Sequence, residues 1–170
     1  MNRARAQAGG IALGVFALDW ATKRWIEQNV SVYDAIVVIP GVFNIVHARN
    51  RGAAFGILAT APEAVRITVL IGLALLILGL IAMMLWQATR PGHQAPWLQR
   101  LALALVLGGA FGNLWDRILT GSVTDFLQVF LGAYEWPSFN VADSGISVGA
   151  VLMAADLLFP PRKAHAPEAH

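Results

Sequence analysis

The sequence predicts a membrane all-α bundle of four transmembrane helices with a small β-rich insert outside the bilayer. Three observations carry this. Of 170 residues, 57% are hydrophobic and 13% charged, where a soluble domain has roughly 45–50% and ~25%. The mean hydropathy is +0.61. The apolar residues gather into long segments, and residues 69–86 carry no charge, enough for roughly 27 Å of helix across the hydrocarbon. A single membrane domain is expected over 1–170, with spans at about 10–25, 64–86, 98–115 and 141–159, an insert at 28–61 and a loop at 118–139.

Arg3 and Arg5 precede an apolar run at 9–18, which looks like a signal peptide. Asp19 interrupts that run, and Lys23 and Arg24 stand where a small-residue cleavage site would be, so a retained first helix is expected. Asp19 and Lys23 are four apart and share a face, either as a local ion pair near the interface or as a polar face turned toward a site. Residues 31–50, SVYDAIVVIPGVFNIVHARN, hold two β-rich runs at 36–39 and 42–46, split by Pro40 and Gly41. Neither could span as a helix, so a small sheet outside the bilayer is expected. NRGAAFG at 50–56 reads as a close-packed or mobile loop.

Residues 87–97, with Pro91, Gly92 and Pro96, form a polar loop between the second and third spans. Gly108 and Gly112, then Gly145 and Gly149, have the small-xxx-small spacing that lets helix backbones approach closely. Residues 118–139 fit a surface helix or an extra strand equally well. Trp20, Trp25, Trp86, Trp97, Trp115 and Trp136 fall near segment ends, as an aromatic belt requires. Four spans put both termini on one side. Arg3, Arg5, Arg90, Arg100, Arg162 and Lys163 lie there almost unmatched by acids, which places the termini in the cytoplasm and the polar clusters at the outer surface.

Several function classes fall away. The formal charge is +2 with scattered basic residues, so nucleic acid is not expected as a partner. The absence of cysteine excludes disulfides, thiolate catalysis, thiol-based metal sites and acylation through sulfur. His47, His93, His165 and His170 have no ligand spacing, so zinc is not expected. Ser122, Ser138, Ser144 and Ser147 have no histidine or lysine nearby in sequence, leaving Lys23 as the one distant candidate base.

Aspartates remain. Asn113, Asp116 and Arg117 stand at i, i+3 and i+4, and Asn140 and Asp143 repeat the i, i+3 spacing. Ionisable groups this close to hydrocarbon are costly and suggest function. Two carboxylates within a few ångströms share a proton, so one can deprotonate water while the other donates to a carbonyl. Spacing alone leaves Asp116, Asp125 and Asp143 all eligible, or all of them serving helix packing and Arg117. A small proton-coupled transporter or channel, relaying through Asp19, Asp116 and Asp143, is the alternative class. The large outer insert and the lack of internal repeats count against it.

GGAFGNLWDR at 108–117, GSVTDF at 121–126 and FNVAD at 139–143, with DWATK at 19–23 and NRGAAFG at 50–56, together resemble the boxes of the lipoprotein signal peptidase (signal peptidase II) family. They occur in the family's order over nearly the whole chain. The resemblance implies an aspartic endopeptidase of the bacterial inner membrane that removes signal peptides from diacylglyceryl-modified prolipoproteins, cutting before the lipidated cysteine. It implies Asp125 and Asp143 as the catalytic dyad. Asp19, Lys23, Asn50, Gly52, Asn113, Asp116, Arg117 and Asn140 would line or brace the site. The β-rich insert becomes a periplasmic cradle and the stretch after Asn50 a lid. Membrane lipids and the inhibitor globomycin are implied partners, no cofactor is needed, and a monomer is expected. Trp115 and Thr124 stand where the resemblance implies aliphatic residues.

Overall fold

The computed structural model describes residues 2–52, 60–92 and 95–159. Residues 53–59 of the expected lid, His93, and the tail with Arg162, Lys163, His165 and His170 lie outside these. The elements run α1 (Arg3–Asn29), β1 (Ala35–Ile39), β2 (Phe43–Asn50), α2 (Glu63–Ala88), α3 (Trp97–Thr120), β3 (Val123–Leu131), β4 (Tyr134–Phe139) and α4 (Val141–Leu158).

Of these four helices, α2, α3 and α4 are long and apolar enough to cross a membrane. α1 has the length but carries Arg3, Arg5, Asp19, Lys23, Arg24 and Glu27. Its start is capped by the Asn2 side chain, which accepts from Arg5 N–H at 2.8 Å. The Asn2 amide also donates to the Thr89 carbonyl at 2.7 Å, and the Arg5 guanidinium lies 3.6 Å from the centre of the Trp86 ring, so the start of α1 is tied to the end of α2. α3 continues through Asp116 and Arg117, which lie within its last turns and not beyond its end. Gly121, in the left-handed region at φ +69°, terminates it by donating its N–H to the Arg117 carbonyl. α4 opens with a capping box between Asn140 and Asp143.

Residues 118–139 are strand, not surface helix, beyond the end of α3. β3 and β4 form a hairpin turning at Gly132, φ +66°. The four strands make one antiparallel sheet in the order β1-β2-β3-β4. β2 pairs with β3 from Phe43 opposite Val129 to Asn50 opposite Val123, with an irregularity between Ile45 and Ala48. Ile26 and Val30 at the end of α1 bury Phe126 of β3, with Ile45 and Leu127 packed around them. That contact seats the sheet on one end of the bundle.

α3 is the central helix and packs against the other three. Its small residues are the reason. A Cβ on Gly108 would strike the Ala12 carbonyl of α1, and one on Gly109 would strike the Ala142 carbonyl of α4. Gly149 answers from α4, where a Cβ would lie 2.6 Å from Val106 Cγ2 and 2.7 Å from the Ala102 carbonyl. The outward face of α2, with Val65, Val69, Leu73, Leu76, Leu80 and Met83 exposed, is left to lipid.

The helix contacts generate a prediction. Gly109→Ala must push α3 and α4 apart and should cost about 1–3 kcal/mol, as overpacking does. Gly79→Ala on α2, where nothing lies within 4 Å, should leave stability level or slightly higher. Thermal unfolding in detergent distinguishes them; equal melting temperatures would refute the close-packing account.

Candidate active site

The site begins with a buried cation. Lys23, 2% exposed, reaches from α1 toward α3 and places its ammonium 2.7 Å from Asp19 Oδ2, 2.8 Å from Asp116 Oδ2 and 3.0 Å from Asn113 Oδ1. Its three N–H donors are therefore committed. Asp19 uses its other oxygen to accept from the Ala142 N–H at 2.8 Å, tying α1 to the first turn of α4. Gly112 makes room: a Cβ there would lie 2.6 Å from the Asp19 carboxylate. The expected pairing of Asp19 with Lys23 is present, but buried and shared with α3 and not confined to the interface. A Lys23 so engaged is no free base for a serine.

From this cation a relay of amides leads outward. Asn113 accepts from Lys23 and donates at 2.7 Å to Asp143 Oδ1. Asn140, fully buried, donates at 2.7 Å to Asp125 Oδ1. Its backbone N–H donates to Asp143 Oδ2 at 3.3 Å, while its side-chain oxygen caps Asp143 N–H at 2.9 Å. Asn50, diagonal to Asp125 across the β2–β3 ladder, donates to Asp125 Oδ2 at 3.1 Å and accepts from Gly52 N–H at 3.0 Å. All four oxygens of Asp125 and Asp143 thus accept from neutral amides. Among the described residues neither carboxylate forms an ion pair.

Asp125 and Asp143 line one cavity of about 670 Å³, together with Asn113, Arg117, Trp136 and Ile146. Asp116 does not line it, having turned to Lys23. Arg117 spends its guanidinium on the Asn113 carbonyl at 3.2 Å and the Gly52 carbonyl at 3.0 Å, and so braces the β2 exit and not Asp116. Burial, then the neighbouring Asp143 charge, push the Asp125 carboxyl up to about 6, against the opposing hydrogen bonds from Asn50 and Asn140. Such a pair can hold one proton between them, with the second carboxylate free to act as a base.

All ten expected site residues therefore fall into one connected network. Thr124, which stands where the resemblance implies an aliphatic residue, is 4% exposed and donates to Glu27 Oε1 at 2.7 Å, fixing β3 to α1 beside Asp125. Glu27 also holds Arg24 at 2.8 Å. A carboxylate on the same face as Lys23, one turn on, was the available signal. Trp136 and Ile146 had none, because which apolar side chains face a cavity depends on the pairing of distant segments.

Two predictions follow from these contacts. Lys23→Met leaves Asp19 and Asp116 buried without their cation, and should destabilise by about 3–5 kcal/mol; a melting temperature equal to the parent's would contradict the central role given to Lys23. The second concerns Asp125, which takes its proton at about 6 when folded and at 3.8 otherwise. The folded chain then binds more protons than the unfolded one in that window, and stability falls as pH rises through it. Asp125→Asn should raise the melting temperature near neutral pH, by up to about 3 kcal/mol of stability, with the gain vanishing below about pH 4. A gain of equal size at both pH values would overturn that assignment.

The family model for Signal peptidase (SPase) II matches residues 11–159. A lipoprotein signal peptidase of Solibacter usitatus is 49% identical over 160 residues, covering 94% of this chain and 95% of its own. One from Geobacter sulfurreducens is 42% identical, covering 90% and 92%. A solved structure described as a bacterial membrane enzyme superposes with a TM-score of 0.79 at 32% identity, over 95% of this chain and 94% of that one.

Proposed function

The chain belongs to the signal peptidase II family and removes signal peptides from prolipoproteins; from that premise we propose that it does so as an aspartic peptidase, with Asp125 and Asp143 as the dyad. The observation that carries this is the pair of carboxylates lining one cavity, each oxygen oriented by an amide and neither carboxylate in an ion pair among the described residues. Asp116, eligible on spacing, is occupied by Lys23. The proton-coupled transporter reading is not favoured.

One carboxylate draws a proton from water as the oxygen attacks the scissile carbonyl, and the protonated partner donates to the carbonyl oxygen. The tetrahedral intermediate collapses as the C–N bond breaks. The proton gained from water passes to the departing amine, and a hydroxyl of the intermediate gives its proton back to the other carboxylate as the carboxylic acid product forms, so the dyad again holds one proton. Asn50, Asn113 and Asn140 keep the carboxylates aimed throughout, and no metal is needed for the step.

The substrate is a diacylglyceryl-modified prolipoprotein cut before its lipidated cysteine. Its signal helix and acyl chains meet the apolar Ile146 and Val148 of α4 and Trp136 of β4, all cavity-lining. α1 completes four crossings of the bacterial inner membrane, its Asp19 and Lys23 buried within the bundle. Both termini are cytoplasmic and the site opens at the periplasmic face. The sheet is the cradle and the segment after Gly52 the lid. The enzyme works as a monomer among membrane lipids, and globomycin inhibits it by occupying the dyad.

Asp125→Asn and Asp143→Asn should each lower prolipoprotein cleavage by at least about 100-fold while the protein still inserts and folds. Cleavage at the parent rate by both single variants would sink the dyad.

A further inference from the structure

A second cavity, of about 260 Å³, lies apart from the aspartates where the exit of β2, the start of α2 and the end of α3 meet. Arg49, Arg51 and Arg66 line it, with Glu63 and the hydroxyl-bearing Thr120 and Ser122. Three guanidiniums face one carboxylate. None forms an ion pair among the described residues, and residues 53–59 contain no acid. Arg66 is only 8% exposed, and its buried Nε has no hydrogen-bond partner. A buried cation without a counter-charge is expensive. The site calls for an anion.

The surroundings specify its kind. Pro62 caps α2 without a side-chain hydrogen bond, leaving first-turn N–H groups and the positive helix end directed to the same region. Thr120 directs its hydroxyl to the Asp116 and Ser122 carbonyls, which fixes the turn between α3 and β3 at the edge of the cavity. Just beside the cavity the surface turns apolar: Val65 of α2 and Ile118 and Leu119 of α3 are 51%, 54% and 54% exposed. The site therefore sits at the polar end of a helix made to cross a membrane, above side chains left to lipid. Guanidiniums bind phosphate oxygens in pairs, and basic pockets at helix ends suit lipid headgroups.

We propose that Arg49, Arg51 and Arg66 bind the phosphate of an anionic phospholipid whose acyl chains lie along α2 and α3. The site is separate from the catalytic carboxylates, so the inference does not depend on the dyad and activity is not its readout. The purified full-length protein would be titrated in detergent with dioctanoyl phosphatidylglycerol, with dioctanoylglycerol lacking the phosphate, and with inorganic phosphate, bound species being counted by native mass spectrometry. Phosphatidylglycerol should bind, less so as salt rises, and dioctanoylglycerol should bind far more weakly. Arg49→Gln with Arg51→Gln, both exposed positions, should lower lipid occupancy at least about tenfold, and the matching lysine pair should retain more of it than the glutamine pair. Arg66→Gln should do the same if it folds; the exposed pair and the lipid comparison decide the matter without it. Equal binding of the two lipids, or full occupancy in the glutamine pair, would overturn the proposal. Inorganic phosphate binding as tightly as the lipid would overturn the lipid assignment in favour of a free-phosphate site.

Discussion

The arrangement depends on one buried ammonium. Lys23 draws Asp116 and Asn113 of α3 to α1, and its partner Asp19 reaches on to the backbone of α4. Ions in such a place are expensive, and the desolvation of each costs several kcal/mol before any attraction is counted. Hydrophobic residues of similar volume would hold the helices together at least as well. What they could not do is orient Asn113, whose oxygen is fixed by Lys23 and whose nitrogen is thereby turned toward Asp143. The cation sets direction more than stability.

The amide shell around Asp125 and Asp143 has a related logic. A guanidinium against either carboxylate would hold it ionised and strip the pair of its proton. Neutral amides fix the same atoms in place while leaving the charge state adjustable. Arg117 lies close by, yet the hydrogen bonds it makes from its two terminal nitrogens go to the Asn113 and Gly52 carbonyls and not to either carboxylate. The fold tolerates a buried, reluctant carboxylate at Asp125 because three separate elements, β2, β3 and the cap of α4, converge on it.

Much of this was legible in the sequence, and what was not has identifiable causes. Apolar runs mark α2, α3 and α4 because lipid rewards uninterrupted hydrocarbon. The turn at Pro40 and Gly41 marks the β1–β2 hairpin. The pairing of β2 with β3 joins segments some 75 residues apart in sequence, as the Asn50 to Asp125 contact shows, and no local pattern encodes such a pairing. Asp116 and Arg117 read as a couple because they are neighbours in sequence. Adjacent helical residues point about 100° apart, so one turned inward to Lys23 and the other toward Gly52. The role of Thr124 is not legible locally, because its partner, Glu27, lies 97 residues away in sequence.

The dual use of Asn140 bears on how the protein comes into being. The same side chain caps α4, holds Asp125 and leans on Asn113. Until α4 is inserted, Asp125 lacks that donor, Asp143 is absent from the assembly, and Asp19 has no backbone N–H to grip. With Asp125 and Asp143 as the proposed dyad, a chain delivered from its first helix onward has no assembled pair of carboxylates before its last helix docks, so a membrane crowded with other nascent polypeptides meets no partly built protease.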